Sequence, residues 1–460
     1  MISGMLERVS VRNFKSLRDA SFNLKPITLL IGPNNSGKSS FISLLTTLKQ
    51  TLMSRSLESP FILEGPYVQL GSYQDVVFAH DITREIGITL SFSREKLGPL
   101  FHQRDTSLER GLIELLRFMP LTVSFTIEFD SITETIKLKD LKISQNDKNT
   151  LIDIKNKCLV NLLNKKFDTP IELEQATKKP SQTTRLFVNQ RHFFWSVLLP
   201  HKNDEDMMTE MRLRRLPLVL EQFFEEFVLY LGPLREYPKR FYISSGEKPS
   251  DVGLRGEKTV DFLYPKGEKV VDEINYWLKK FDMAESISIE RVTPNAGIWK
   301  VELTNLRTGI SDNLKDVGFG VSQVLPIVTE GLTSKRGTIM LIEQPEIHLH
   351  PRAQAELADL FIEIAQQDKT SIIETHSEHM MLRFARRIAE GKLSKDKIVI
   401  YEFNSGKTGC NVNEITFDDN GNLEKWPAGF FETDLEETMQ HIKAQARKSR
   451  ENSENGNAGS

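Results

Sequence analysis

Residues 32–40 read GPNNSGKSS and stand between the apolar run ITLLIG and a helical pattern from 38 to about 50. The spacing G-x-x-x-x-G-K-[ST], closing a strand and opening a helix, leaves few folds open to the chain. It demands a strand buried inside a sheet and a helix whose first turn faces the loop. Glycines at 32 and 37 let the backbone curl so that successive N–H groups converge, and the helix N-terminus adds partial positive charge. Such a cradle takes phosphates. Gly32, Asn34, Asn35, Ser36, Gly37, Lys38, Ser39 and Ser40 are therefore candidate ATP-binding residues. Lys38 would reach the β- and γ-phosphates, and Ser39 would give its hydroxyl to Mg2+.

The bulk of the chain agrees with a large globular protein. At 460 residues and 39% hydrophobic it has room for a sizeable core and more than one structural unit. A formal charge of −3 predicts neither a nucleic-acid coat nor a strongly acidic surface. Cys158 and Cys410 lack metal-ligand spacing and read as reduced packing residues. The first residues carry no apolar targeting core, and no run approaches the roughly 18 apolar residues of a membrane span, so a cytoplasmic protein without a membrane partner is expected.

Around the cradle, LERVSVRNF, ASFNL, IGITLSFS, LTVSFTIEF and TIKLKDLKIS alternate with period two, the pattern of antiparallel strands. From 146 the spacing turns helical in KNKCLVNLLNKKF and MRLRRLPLVLEQFFEEFVLYL. The expected organisation is an N-terminal lobe over 1–145, an inserted and mainly helical arm over 146–284, a C-terminal lobe over 285–442, and a polar, disordered tail over 443–460.

The C-terminal lobe supplies further chemistry. In DVGFGVSQVLPIV, 316–328, glycines precede Ser322 and Gln323 at the start of an apolar helix; Gly320, Ser322 and Gln323 there suit a γ-phosphate, although taken alone the segment reads more simply as a glycine-rich helix cap. The run IMLIE ends in Glu343, whose carboxylate would hold Mg2+ through water. IIETHSEHM delivers His376 at the C-terminal end of a strand, where ligands of open α/β sheets bind; contact with the γ-phosphate or the attacking water is expected.

After Glu343, where a glutamate is usual, comes Gln344. Phosphoryl transfer needs positioning more than a strong base, and a glutamine can orient water, though turnover should be slow. Pro345 pushes Gln344 toward an extended conformation, which would set Glu346 roughly 7 Å further along the same face. Gln344, Glu346 and His376 are the candidate catalytic set, with a loop salt bridge the equal alternative for Glu346.

The segments VRNFKSLRDASFNLKPITLLIGPNNSGKSS, VGFGVSQVLPI, LIEQPEIHLHPRAQ and ETHSEHMMLR together resemble the ABC-class ATPase heads of the RecF, SMC and OLD-nuclease kind. The resemblance implies an α/β head: a mixed sheet with flanking helices and an antiparallel β-subdomain, here with the inserted arm. It implies ATP and Mg2+ as cofactors, with Gln74 or Asp75 of GSYQDVVF as a further residue on the metal. It also implies that the signature helix acts in trans, Ser322 of one head facing the phosphate held by Lys38 of another, so that a homodimer or higher homo-oligomer is the working unit.

Within that class, the EQPE and ETHSEH segments and the terminal WPAGFFETDLEE, 426–437, resemble bacterial ATPases of which many belong to anti-phage operons. A PARIS-type system, in which such a subunit restrains a TOPRIM effector, is one such case. OLD nucleases continue into a TOPRIM domain, whereas here the segment after His376 is short and Asp418 and Asp419 of TFDDNGN read as a hairpin turn. The implied role is a sensor or scaffold, triggered by a phage protein and controlling a separate effector. The rivals are a RecF-like repair ATPase that clamps DNA and, less favoured, a stand-alone nuclease. The basic clusters RLRR, 212–215, and RFARR, 383–387, would serve DNA or simply solvate helix faces.

Overall fold

The apolar run before the cradle becomes β3 (Ile27–Ile31), every residue of which is buried. A computed structural model describes residues 6–427 and Gln445, apart from 55–58, 94–118, 146–148, 156–157, 163–164, 171–186, 192–193, 199–203, 245, 247, 294–295 and 407–408. β3 lies inside a six-stranded sheet with the order β12-β17-β18-β3-β19-β20, made with β12 (Val228–Leu231), β17 (Ile339–Glu343), β18 (Thr370–Glu374), β19 (Ile398–Gly406) and β20 (Gly409–Ile415). Its pairs are parallel except β19 with β20. A parallel sheet needs cover on both faces. Alternation along β3 divides the core accordingly: Leu30 packs with α1 (Lys38–Met53), while Leu29 and Ile31 pack with the helices Gly320–Thr333, Pro351–Gln366 and Glu378–Ala389.

The period-two segments form a second, eight-stranded antiparallel sheet in the order β2-β1-β4-β5-β6-β7-β8-β9. Its strands are β1 (Leu6–Phe14), β2 (Leu17–Asn23), β4 (Ile86–Phe92), β5 (Leu121–Asp130), β6 (Thr135–Gln145), β7 (Asn149–Lys155), β8 (Cys158–Leu162) and β9 (Lys165–Pro170). Strict alternation of burial along β4 follows from one face packing on the core. A third sheet joins β13 (Tyr242–Ile243), β14 (Ser286–Thr293), β15 (Ala296–Thr304) and β16 (Ser311–Asn313); β10 (Phe187–Arg191) and β11 (Phe194–Leu198) pair by themselves.

The stretch expected as an arm differs from its reading. It holds the long helix Asp204–Phe227, but β7, β8 and β9 carry the antiparallel sheet straight across the expected boundary at 145/146. KNKCLVNLLNKKF contributes β8 and β9; its apolar run is too short to fix a period. The run FVLYL leaves the helix to become β12 beside β17, and the helices Thr259–Leu263 and Glu268–Lys280 bury Leu263, Ile274 and Trp277 in the core of the C-terminal lobe. Residues from Val228 on thus pair and pack with elements of the C-terminal lobe. The proposed tail 443–460 and residues 428–437 lie outside the described residues, apart from Gln445.

One side chain ties the arm helix to the cradle. Lys49 of α1, 1% exposed, donates to the carbonyls of Phe224 at 3.0 Å, Glu225 at 2.8 Å and Val228 at 2.6 Å. The last carbonyls of a helix have no partner within it, so a buried ammonium there closes the end of Asp204–Phe227. Burial lowers the Lys49 pKa to about 8.

Candidate nucleotide site

The cradle is built by close approach as much as by turning. Gly32 (φ 139) and Gly37 (φ 105) adopt backbone that L side chains avoid. A Cβ on Gly32 would stand 2.3 Å from the Phe403 carbonyl oxygen, and one on Gly37 2.2 Å from Ser16 Oγ. Lys38 is 3% exposed and its Nζ folds back onto the carbonyls of Gly32 (3.0 Å) and Pro33 (2.8 Å). Desolvation lowers its pKa, opposed by the charge of Glu374.

Glu374 was not among the residues singled out in the sequence, yet it sits at the centre of the site. Its Oε2 accepts from Ser39 Oγ at 2.8 Å, and its Oε1 lies 4.0 Å from Lys38 Nζ. β17 and β18 run parallel in the register Glu343↔Glu374, so the two acids end neighbouring strands at the same height. The signal was present: IMLIE and TSIIE are strands of equal length, each closed by an acid. Glu343 Oε1 accepts from the Tyr230 hydroxyl at 2.7 Å, and burial pushes its pKa up to about 7 against that hydrogen bond. Burial also raises Glu374.

Gln344 departs from the extended conformation expected before Pro345. Its φ is 46°, left-handed, and its N–H donates to the Glu374 carbonyl at 2.8 Å. The ladder to β18 holds the residue while the chain turns away, and that tertiary bond outweighs the local preference. Leu349 N then bonds Glu346 O at 3.1 Å, closing a turn, so Glu346 does not continue along one extended face. Its Oε1 accepts from the backbone N–H of His376 at 2.6 Å, which is not a salt bridge, and Oε2 is left without a partner among the described residues. Burial raises the pKa of Glu346 and lowers that of His376.

Several polar atoms here are buried without a partner among the described residues: Ser36 Oγ, Glu346 Oε2 and His376 Nε2. A phosphate and its water would satisfy such atoms. Together with the glycine cradle, and with oxygen donors from Ser39, Glu343 and Glu374 that suit a hard cation, the residues fit a magnesium nucleotide. Ser40 Oγ is 3.2 Å from Ser16 Oγ, behind the loop.

The remaining candidates sit elsewhere. Gly320, Ser322 and Gln323 open the helix Gly320–Thr333, beside the turn after β17; a Cβ on Gly320 would meet His348 O at 3.4 Å. Ser322 and Gln323 are 7% and 4% exposed within the single chain, which differs from a side chain presented outward to a second head. Gln74 lies on the short helix α2 (Tyr73–Val76) with its side chain exposed, and its carbonyl lies 2.9 Å from His80 Nδ1. Neighbouring Asp75 is engaged in a capping box with Ser72. Asp418 receives the N–H groups of Asn420 and Asn422 in the expected turn. In RFARR, Arg383 bonds Asp359 at 2.6 Å and Arg387 bonds Asp359 at 2.5 Å, so these arginines are engaged within the fold. The side chains of RLRR lie outside the described residues.

The chain is similar to several known proteins. An OLD nuclease of Thermus scotoductus is 22% identical over 381 residues, which is 81% of this chain and 59% of that protein, so the chain spans less than two thirds of its relative. Among solved structures, an Smc head bound to the C-winged helix domain of ScpA aligns with TM-score 0.44 and 11% identity, covering 90% of this chain and 98% of that one. An Smc head with an extended coiled coil, bound to the C-terminal domain of ScpA derived from Pyrococcus furiosus, gives TM-score 0.43 and 10% identity over 96% and 99% of the two chains. The sequence profile of the AAA ATPase domain matches residues 5–206 and 248–381, spanning the P-loop, both acid-tipped strands and His376, and the chain belongs to that family.

Proposed function

We propose that the chain is an ATPase head that binds Mg–ATP, hydrolyses it slowly, and uses the ATP-held state as a switch. Lys38 and the loop N–H groups hold the phosphates; Ser39 and Glu343 hold Mg2+, which neutralises phosphate charge; Gln344 and His376 orient water. One observation carries the slow-turnover reading: the residue after Glu343 is an amide, and the nearby carboxylate of Glu346 is bound to the His376 N–H at 2.6 Å. The amide cannot take a proton at neutral pH, and the one carboxylate beside it is tied at Oε1, leaving Oε2 alone without a partner among the described residues. Glu346 holds the histidine strand end in place.

A head that keeps ATP suits a sensor or scaffold better than a motor. The resemblance of the EQPE and ETHSEH segments to anti-phage ATPases supports a role in phage defence, in which a homodimer of heads, triggered by a phage protein, controls a separate TOPRIM-type effector; the likeness to an OLD nuclease supports nuclease chemistry at the output. A DNA clamp gains nothing from Arg383 and Arg387, which are ion-paired inside the fold.

Steady-state phosphate release tests the reading. Wild type should turn over well below the roughly 10 s⁻¹ typical of enzymes, Gln344→Glu should be faster, and Lys38→Ala inactive. Rapid hydrolysis by wild type, left unchanged by Glu346→Gln, would sink it.

A further inference from the structure

Arg235 follows β12, the strand on the far side of β17 from the cradle, and is 5% exposed. Its Nη2 donates to the Glu343 carbonyl at 3.3 Å, while Nε and Nη1 are buried with no partner among the described residues. A guanidinium carries five N–H donors and stays charged inside proteins, so buried donors without acceptors are costly and rare. The arginines of the helix Glu378–Ala389 show the ordinary solution, with two carboxylates around Arg383 and around Arg387. Arg235 instead bonds a single backbone carbonyl, at the corner where β17 ends.

That corner is the nucleotide site. Arg235 feels the charges of Glu343 and Glu346, and Glu346 is in turn within electrostatic reach of Lys38. Lys38 and Arg235 are thus two buried cations, one after β3 and one after β12, flanking the carboxylates at and just after the C-terminal ends of β17 and β18. The unpartnered Glu346 Oε2 and His376 Nε2 lie in the same region. Glu343 and Glu346 already have other bonds, so the charge of Arg235 is only partly matched.

We propose that Arg235 is a phosphate ligand: its spare N–H donors take an oxygen of the terminal phosphate of the bound nucleotide, from the side opposite Lys38. The proposal rests on the ATP-binding reading above. Arginine suits the task because its planar donors match phosphate oxygens and its charge persists when desolvated. Arg235 would then distinguish ATP from ADP, since only the triphosphate reaches it.

Binding of ADP and of a non-hydrolysable ATP analogue, each with Mg2+, by isothermal titration to the full chain tests this. Arg235→Gln should weaken the triphosphate analogue at least about tenfold and leave ADP within about twofold. Equal losses for both ligands, or no loss for either, would overturn the assignment; so would unchanged binding with a fall only in kcat, which would make Arg235 a positioning residue for Glu346. If Arg235→Gln does not fold, Arg235→Lys carries the test: a selective loss for the triphosphate supports it and wild-type affinity for both ligands overturns it. Wild type binding neither nucleotide, or Lys38→Ala binding both normally, would instead sink the ATP-binding reading itself.

Discussion

Glu374 occupies the two groups that a P-loop brings to its ligand. Its carboxylate bonds Ser39 and faces Lys38, so a metal arriving at Ser39 meets an acid already in place. Glu374→Gln should therefore weaken Mg2+ in the ATP complex by about tenfold, read by titrating Mg2+ against fluorescent ATP. A second acid of the interior acts on stability. Glu330, 3% exposed, accepts from Val252 N at 2.9 Å, and burial raises its pKa to about 7. Such a group binds its proton more tightly folded than unfolded, so its contribution is full below the ordinary 4.5 and is lost as pH rises toward 7. Glu330→Gln keeps an acceptor for Val252 and should remove up to about 3 kcal/mol of this pH dependence, seen by comparing thermal unfolding at pH 5 and pH 7.5. At this scale the glycines and Lys38 were legible in the sequence because their spacing is local. Glu374 was not, since its importance comes from strand register, and Gln344 misled because a cross-strand hydrogen bond overrides the residue before proline.

Elements were legible where one face is wet. β4 alternates along its whole length and reads as a strand without help, and β3 reads as buried because it is apolar throughout. CLVNL and FVLYL are short apolar runs whose period fits helix or strand, and pairing with β7 or β17 decides them. The join between Asp204–Phe227 and β12 depends on Lys49, whose three bonds to carbonyls are made across the core. Lys49→Met would leave those carbonyls buried and unpaired, at a cost of about 3 kcal/mol or more. Urea unfolding should show that loss, and limited proteolysis should cut the arm helix sooner than in wild type.

At the scale of the whole molecule, the parallel run of β17, β18 and β3 brings the P-loop, both acids and His376 to one end of the sheet, while Ser322 stays inside its own lobe. If heads pair through ATP, light scattering should show a mass doubling with the non-hydrolysable analogue, absent in Lys38→Ala and in Ser322→Arg. Wild type remaining a single chain with the analogue would remove the trans role of Ser322. The Lys49 clamp adds a constraint on any such cycle. It joins the helix that begins at the cradle to the C-terminal end of the helix Asp204–Phe227. Were a partner protein to hold that helix, linkage would run both ways: by whatever factor ATP tightened the partner's binding, the partner would tighten the binding of ATP.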